Sequence, residues 1–362
     1  MIKRELVFAV VACVLPVVAV AAGGTVYIYS LAMKNPPRGT FQPSIMVVDR
    51  TRGYANRPSV ALQYANCGGG GGGRGSFQVI TNKHGARVGA DGGPDELSQV
   101  TILVAGDSQT FGCGVDYENT YAAALARKLD RTVLNIGVPG YGTVAIIRQI
   151  QHFLTLGTSP DTVVLGFYYD HAIRNSNRCY PGFAFNCISV PHTKWIPGSS
   201  PRFVEPEDNT EAFETLRALN AYISGRDGPF TRWRDFYWGT LLRIAPFLQS
   251  SSYLFGRRTP TEAEKAAVTR FLLQTLKRML DERGIRLVIV YIPNYFVKPV
   301  ERAPAYLTEA VRQLGITFVD PSDALEAEMK SDPEAIKVPH DGHLNATGQG
   351  VLAQAVAPLL TE

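Results

Sequence analysis

The chain sets an acid and a serine between glycines in Gly106-Asp107-Ser108-Gln109-Thr110-Phe111-Gly112. An apolar run, Val100-Thr101-Ile102-Leu103-Val104, leads directly into it. A serine in that place has two readings. It caps the next helix, since Ser and Asp are common N-caps. Or it is a nucleophile at the carboxyl edge of a sheet, where open α/β folds put their ligand crevices. A serine nucleophile needs a base, a group that holds the base, and donors for the oxyanion. Near the other end stands Val338-Pro339-His340-Asp341-Gly342-His343-Leu344-Asn345. Asp341 and His343 are two apart, a spacing that shares one face of a flat strand. Gly342 between them also permits a turn that brings the carboxylate to the imidazole. Such a carboxylate fixes the tautomer and leaves the other ring nitrogen to act on serine. A metal site of His340, Asp341 and His343, or a polar surface loop, are the alternatives. The chain has no Gly-x-Ser-x-Gly and no His-Glu-x-x-His.

The elements needed to position these residues are legible as a βα rhythm. Strands are expected at Phe77–Thr81, Val100–Ala105, Thr132–Ile136, Asp161–Phe167, Arg286–Ile292 and Thr317–Asp320. Helices are expected at Tyr121–Leu129, Val144–Leu156, Ala263–Glu282, Ala305–Gln313 and Gly348–Leu360. Alternating units of this kind imply a mainly parallel sheet with helices on both faces. A long insertion, residues 176–260, separates the third of these βα strands from the next. It carries Trp195, Trp233 and Trp238, read as a satellite core. Residues 35–98 are rich in Gly and Pro and read as a juxtamembrane spacer with short strands. The glycine run at 68–73 lacks a preceding strand and a following Gly-Lys-Ser/Thr, so it reads as a loop, not a phosphate cradle.

Composition is that of a globular protein, with 362 residues, 45% hydrophobic and 19% charged. The net charge is +4 with both signs scattered, which lacks the basic stripe of a nucleic-acid binder. No charge appears between Glu5 and Lys34. Leu6 to Met33 is long enough to cross a bilayer core of about 30 Å. Residues 1–34 are therefore read as an uncleaved inner-membrane anchor, a cleaved signal peptide being the rival reading. Lys3 and Arg4 keep the tail in the cytoplasm, so the body is expected in the periplasm. Of five cysteines, none shows zinc-ligand spacing. Cys179 and Cys187 bracket a turn-rich segment and read as a disulfide suited to an oxidising compartment. Cys113 reads as a small buried residue.

Four blocks together carry a resemblance: Gly106–Gly112, "NIGVPGYGT" from Asn135, "GFYYDHAIRN" from Gly166, and "DGHLN" from Asp341. In this order, each after an expected strand, they resemble the SGNH/GDSL hydrolase family over residues 99–362. "ITNKHGAR" from Ile80 is similar to the lead-in of membrane-anchored bacterial members. The resemblance implies a flavodoxin-like α/β/α sandwich with a parallel sheet and a Ser-His-Asp set that cleaves or transfers acyl esters. It implies no metal and no organic cofactor. Ser108 matches the nucleophile and one oxyanion donor, Gly140 a second donor, His343 the base and Asp341 its orienting acid. The family's third-block Asn-Asp is here Tyr169-Asp170, so the asparagine donor is missing. Tyr169, Asn175 or an insertion residue are the candidates to replace it. The expected function is hydrolysis of O-acyl esters, O-acetyl groups of an envelope or secreted glycan among them. The alternatives are an O-acyltransferase acting on a cell-envelope polysaccharide, and a non-catalytic glycan-binding or assembly protein on the same fold. The expected partners are an acyl-ester substrate and the inner membrane, with no nucleic acid.

Overall fold

The computed structural model of the protein describes residues 45–64, 76–94, 96–179, 188–214, 259–330, 332–339 and 342–361. The anchor segment, the glycine run, most of the insertion, Cys187, His340 and Asp341 lie outside the described residues. Among the described residues, no helix is long and apolar enough to cross a membrane.

The described chain opens with an antiparallel hairpin of β1 (Met46–Asp49) and β2 (Gly53–Asn56). Next come β3 (Ala61–Tyr64), β4 (Phe77–Thr81), β5 (Arg87–Val88) and β6 (Ile102–Ala105). A single turn of helix, α1 (Ser108–Phe111), follows β6 at once. Then come α2 (Tyr121–Leu129), β7 (Val133–Asn135), α3 (Thr143–Thr155), β8 (Thr162–Tyr168) and the short α4 (His171–Arg174). A small hairpin, β9 (His192–Lys194) and β10 (Arg202–Val204), belongs to the insertion. The last units are α5 (Glu262–Asp281), β11 (Arg286–Ile292), α6 (Ala305–Leu314), β12 (Thr317–Val319), α7 (Ser322–Glu328) and α8 (Ala346–Val356).

Eight strands form one sheet in the order β12-β11-β8-β6-β7-β5-β4-β3. Its five parallel strands, numbered by their own chain order, run 2-1-3-4-5, the order of flavodoxin-like doubly wound sheets. In such sheets the ligand crevice lies at the carboxyl ends of strands, where the order reverses. Here that point falls between β6 and β8.

The central strands are apolar on both faces because both are covered. Every residue of β6 and of β8 is buried. One face packs Leu103, Leu165 and Phe167 against Ile146, Ile150, Leu272 and Leu276 of α3 and α5. The other packs Val104, Val164 and Tyr168 with Leu125 of α2 and Leu352 and Val356 of α8. Sequence chemistry sets the helix ends. Thr120 accepts from the Ala123 N–H at 3.2 Å, and Thr261 from the Glu264 N–H at 3.2 Å. Asn345 accepts from the N–H groups of Thr347 and Gly348 at 2.9 and 3.1 Å. Each side chain satisfies a donor the first turn leaves open.

Two expectations are extended. The segment read as a spacer with short strands supplies β3, β4, at the expected Phe77–Thr81, and β5, which continue the sheet antiparallel beyond β7. Cys113 is buried, as expected, and is also disulfide-bonded. Cys179 is disulfide-bonded, and its expected partner Cys187 lies outside the described residues.

Candidate active site

Ser108 is the first residue of α1 and is 6% exposed. The turn that presents it is built by its neighbours. Asp107 is the N-cap and accepts from the Gln109 N–H at 3.0 Å. A Cβ on Gly106 would lie 2.0 Å from the Thr110 hydroxyl oxygen, so only glycine lets the strand end fold this closely onto α1. Arg87, from the lead-in motif, holds the far side. It donates to the carbonyls of Phe111, Gln78 and Val115 at 3.1, 2.8 and 2.9 Å. Its guanidinium also lies 4.6 Å from the Phe111 ring centroid. Burial pushes its pKa down to about 10, and it stays a cation at neutral pH.

The second block is pinned beside this turn. Asn135 donates to the Thr110 carbonyl at 2.7 Å and accepts from the Gly137 N–H at 3.0 Å. The Val138 N–H reaches the Gly106 carbonyl at 3.1 Å. Asn56 and Tyr54 of β2 hold the carbonyls of Gly137 and Pro139 at 2.9 and 2.8 Å. Gly140 then adopts φ +86, the left-handed region open to glycine. Neither the Ser108 nor the Gly140 backbone N–H donates to another described group. Both are therefore available to an oxyanion.

One guanidinium joins the three blocks. Arg174, on α4, donates to Asp107 at 2.8 Å, to the Tyr141 carbonyl at 3.0 Å and to Asp170 at 3.1 Å. Burial favours the neutral form of Asp107, but His171 and Arg174 outweigh it and hold its pKa down to about 2. Asp107 is fully buried. Its ionisation should therefore support the fold by about 2 kcal/mol. The folded pKa lies below the unfolded value, so this support is complete above pH ~4 and vanishes as pH falls towards ~2. The expected result is a stability gap between the wild type and Asp107→Asn that narrows over that window, measured as urea midpoints. His171 Nε2 faces Asp107 at 3.7 Å. Burial holds His171 below the usual histidine range, so it is neutral at pH 7.

His343 is brought to this edge by a clamp from the residue after the serine. The Gln109 amide donates to the Tyr295 hydroxyl at 2.8 Å and the Gly342 carbonyl at 3.1 Å, and accepts from the Leu344 N–H at 3.2 Å. Tyr295 donates to the same Gly342 carbonyl at 2.9 Å. The two residues flanking His343 are thus bonded to the residue flanking Ser108. Gln349 of α8 adds a bond to the Gln109 carbonyl at 2.9 Å. His343 is 6% exposed, and its carbonyl accepts from Val338 at 2.9 Å. Gln109→Ala removes three side-chain bonds from a buried site. It is expected to cost about 2–3 kcal/mol of stability. It should also lower kcat about tenfold or more by loosening the loop, read in urea melts and ester turnover at a temperature where the variant is folded.

The strand of the third block runs one residue further than expected. β8 runs to Tyr168, and the Tyr169 N–H continues the pairing to the Ile292 carbonyl at 3.0 Å. Tyr169 is part-buried against both halves of the core. Tyr168 is buried in the core face that carries α2 and α8. The Arg174 guanidinium lies 5.4 Å from its ring centroid. Burial raises its hydroxyl well above the tyrosine range, with Tyr295, Tyr169 and Asp107 reinforcing the rise. It is therefore a neutral O–H donor. Asn175 accepts from the Val144 N–H at 3.3 Å through its oxygen at the start of α3, while its buried Nδ2 has no partner among the described residues. The sequence reading missed Gln109, Arg174, Tyr168 and Tyr295. The one available signal was position, with Gln109 beside Ser108 and Arg174 one helical turn after Asp170.

No family model and no curated protein matches the sequence. Among solved structures, the chain is similar to a lipolytic protein of the G-D-S-L family from Desulfitobacterium hafniense. That match has 11% identity and a TM-score of 0.34 over 72% of this chain and 99% of the other. An acetylxylan esterase from Geobacillus stearothermophilus matches at 12% identity and a TM-score of 0.37, over 72% and 94%. A two-domain esterase active on acetylated mannans matches at 14% and 0.37, over 72% and 49%. The structural neighbours are GDSL/SGNH-like lipolytic proteins and acetylxylan esterases. Identities and scores are low, so the chemistry of this chain rests on its own residues.

Proposed function

We propose that the protein is a serine-dependent hydrolase of O-acyl esters, working through an acyl-enzyme on an SGNH-type fold. The observation that carries this reading is the Gln109 clamp. It ties the turn of Ser108 to the loop of His343 at the switch point of the parallel sheet. In the first step, His343 takes the Ser108 proton as Oγ attacks the ester carbonyl carbon. The carbonyl oxygen becomes an oxyanion held by the N–H groups of Ser108 and Gly140. Collapse breaks the bond to the alcohol, which leaves with the proton from His343. Water, deprotonated by His343, then releases the acid and restores Ser108. Asp341 is assigned to orient His343, on the sequence spacing. No step uses a metal or cofactor.

Tyr168 is assigned as the third oxyanion donor in place of the missing asparagine, on its position beside Arg174 and its neutral hydroxyl. Tyr169 and the Nδ2 group of Asn175 are the alternative donors.

The proposed substrate is an O-acetyl ester of an envelope or secreted glycan, and the proposed setting is the periplasmic face of the inner membrane. Two features support that setting: the uncharged segment from Leu6 to Met33 and the disulfide bonding of Cys113 and Cys179. The test is acetate release from acetylated polysaccharide by the full-length chain, with and without an added unacetylated sugar. Acetate release independent of the added sugar supports hydrolysis. Acetate appearing only on the added sugar means acyl transfer, and no change in either pool contradicts ester chemistry.

A further inference from the structure

A second polar site lies away from the serine. A cavity of about 180 Å³ opens between the β1–β2 hairpin, the turn after β4 and the carboxyl half of α3. Its chemistry is set by Arg52, Asn56, Lys83, His84, Gln149 and His152. The volume is below the range of drug-sized pockets, which suits an ion or a single sugar unit.

The charges around it do not balance internally. The one acid, Asp49, is consumed by its own hairpin, accepting from Thr51 N–H and hydroxyl at 3.0 and 2.9 Å and from the Arg52 N–H at 2.8 Å, besides pairing with the Arg52 guanidinium. Arg52 also donates to Gln149 at 2.6 Å. Among the described residues, the side chains of Lys83, His84 and His152 have no ion pair or hydrogen bond. Burial, with Arg52 and His84 nearby, holds His152 below the usual histidine range, and burial with Lys83 does the same to His84.

Two buried atoms of the lining are also unpartnered. Arg52 is 6% exposed and Asn56 3%. Arg52 Nε is a donor without an acceptor, and Asn56 Oδ1 an acceptor without a donor. Such groups are rare in native structures and call for a partner. An anion supplies acceptors to Lys83, His84, His152 and Arg52 Nε. A hydroxyl on the same ligand supplies the donor Asn56 lacks.

We propose that this cavity binds a compact oxyanion bearing a hydroxyl, the chemistry shared by hydrogen phosphate groups and sugar carboxylates. The cavity is lined by neither Ser108 nor His343, and it absorbs the Lys83-His84 pair of the lead-in motif.

The test follows the His84 and His152 imidazole signals of the full-length chain by NMR, while inorganic phosphate, glucuronate, sulfate or glucose is added. Phosphate or glucuronate should saturate and raise the apparent pKa of both histidines, since a nearby anion favours imidazolium. Phosphate saturating without glucuronate identifies a phosphate group as the ligand, and the reverse a sugar carboxylate. Sulfate, an anion without a hydroxyl at neutral pH, should bind more weakly, and glucose should give no shift. Lys83→Ala with His152→Ala should weaken binding about tenfold or more, with ester turnover unchanged. No saturable binding of either anion would overturn the proposal. So would an affinity equal for phosphate and sulfate and unmoved by the double variant, which would mark an adventitious ion only.

Discussion

Replacing Ser108 by alanine is expected to remove ester turnover, with kcat falling on the order of 10⁴–10⁶-fold. His343→Ala should give a loss of similar size, and the two together should lose little more than either alone. Residues that act as one unit are strongly non-additive, because removing the base leaves a weak nucleophile and removing the nucleophile leaves the base nothing to serve. Stability should separate this from misfolding. The Ser108 backbone sets the first turn of α1, whereas the Asp107 side chain makes the cap. Ser108→Ala should therefore keep the wild-type urea midpoint closely. The measurement is p-nitrophenyl acetate hydrolysis across the four proteins of the double-mutant cycle. Additive losses, or a Ser108→Ala enzyme that still turns over, would contradict the assignment.

The second large effect is expected at Tyr168. Tyr168→Phe keeps the ring that packs between Arg174 and the apolar face of the sheet. It removes only the hydroxyl. If that hydroxyl meets the oxyanion, kcat should drop about 10²–10³-fold, roughly 3–4 kcal/mol. KM should hardly move, since the bond is made mainly in the transition state. Tyr169→Phe should stay within a few-fold of wild type. The pair of variants decides the register of the third block. A silent Tyr168→Phe beside a crippled Tyr169→Phe would return the donor role to Tyr169. Two silent variants would mean that the oxyanion is held without a tyrosine.

The difference between these two tyrosines shows where sequence reading stops. The strand Asp161–Phe167 was legible because it is one continuous apolar run, and β8 does occupy Thr162–Tyr168. Its last residue was not legible, because the end of a strand depends on the pairing partner. Here β11 carries the pairing through Tyr168, and the Ile292 carbonyl takes the Tyr169 N–H. The parallel strands and their helices were found for the same local reason: apolar runs and helical spacing mark buried faces before any partner is known. β4 was legible in the same way, but β3 and β5 escaped that logic. β5 is two residues long and meets β7 only at Arg87 opposite Asn135. A pairing of that kind has no signal in composition, and a Gly- and Pro-rich neighbourhood reads as a spacer.

The candidate site divides in the same way. Ser108, Gly140 and His343 are proposed from residue type and block order. Arg174 was not, since an arginine on a short helix reads as a solvated charge. Its role follows from three contacts far apart in sequence, to Asp107, Asp170 and the Tyr141 carbonyl. Nothing but its place beside Ser108 marks Gln109 in the sequence, yet its contacts reach more than two hundred residues along the chain. Long-range polar contacts of this kind hold the candidate site together and leave no periodicity behind.

The most direct test of the central claim is covalent. The full-length chain is treated with a fluorophosphonate, digested, and the adduct mapped by mass spectrometry. The account predicts a single adduct on Ser108, absent from Ser108→Ala and formed far more slowly in His343→Ala. No adduct on the folded protein, or an adduct on another serine that persists in Ser108→Ala, would contradict it.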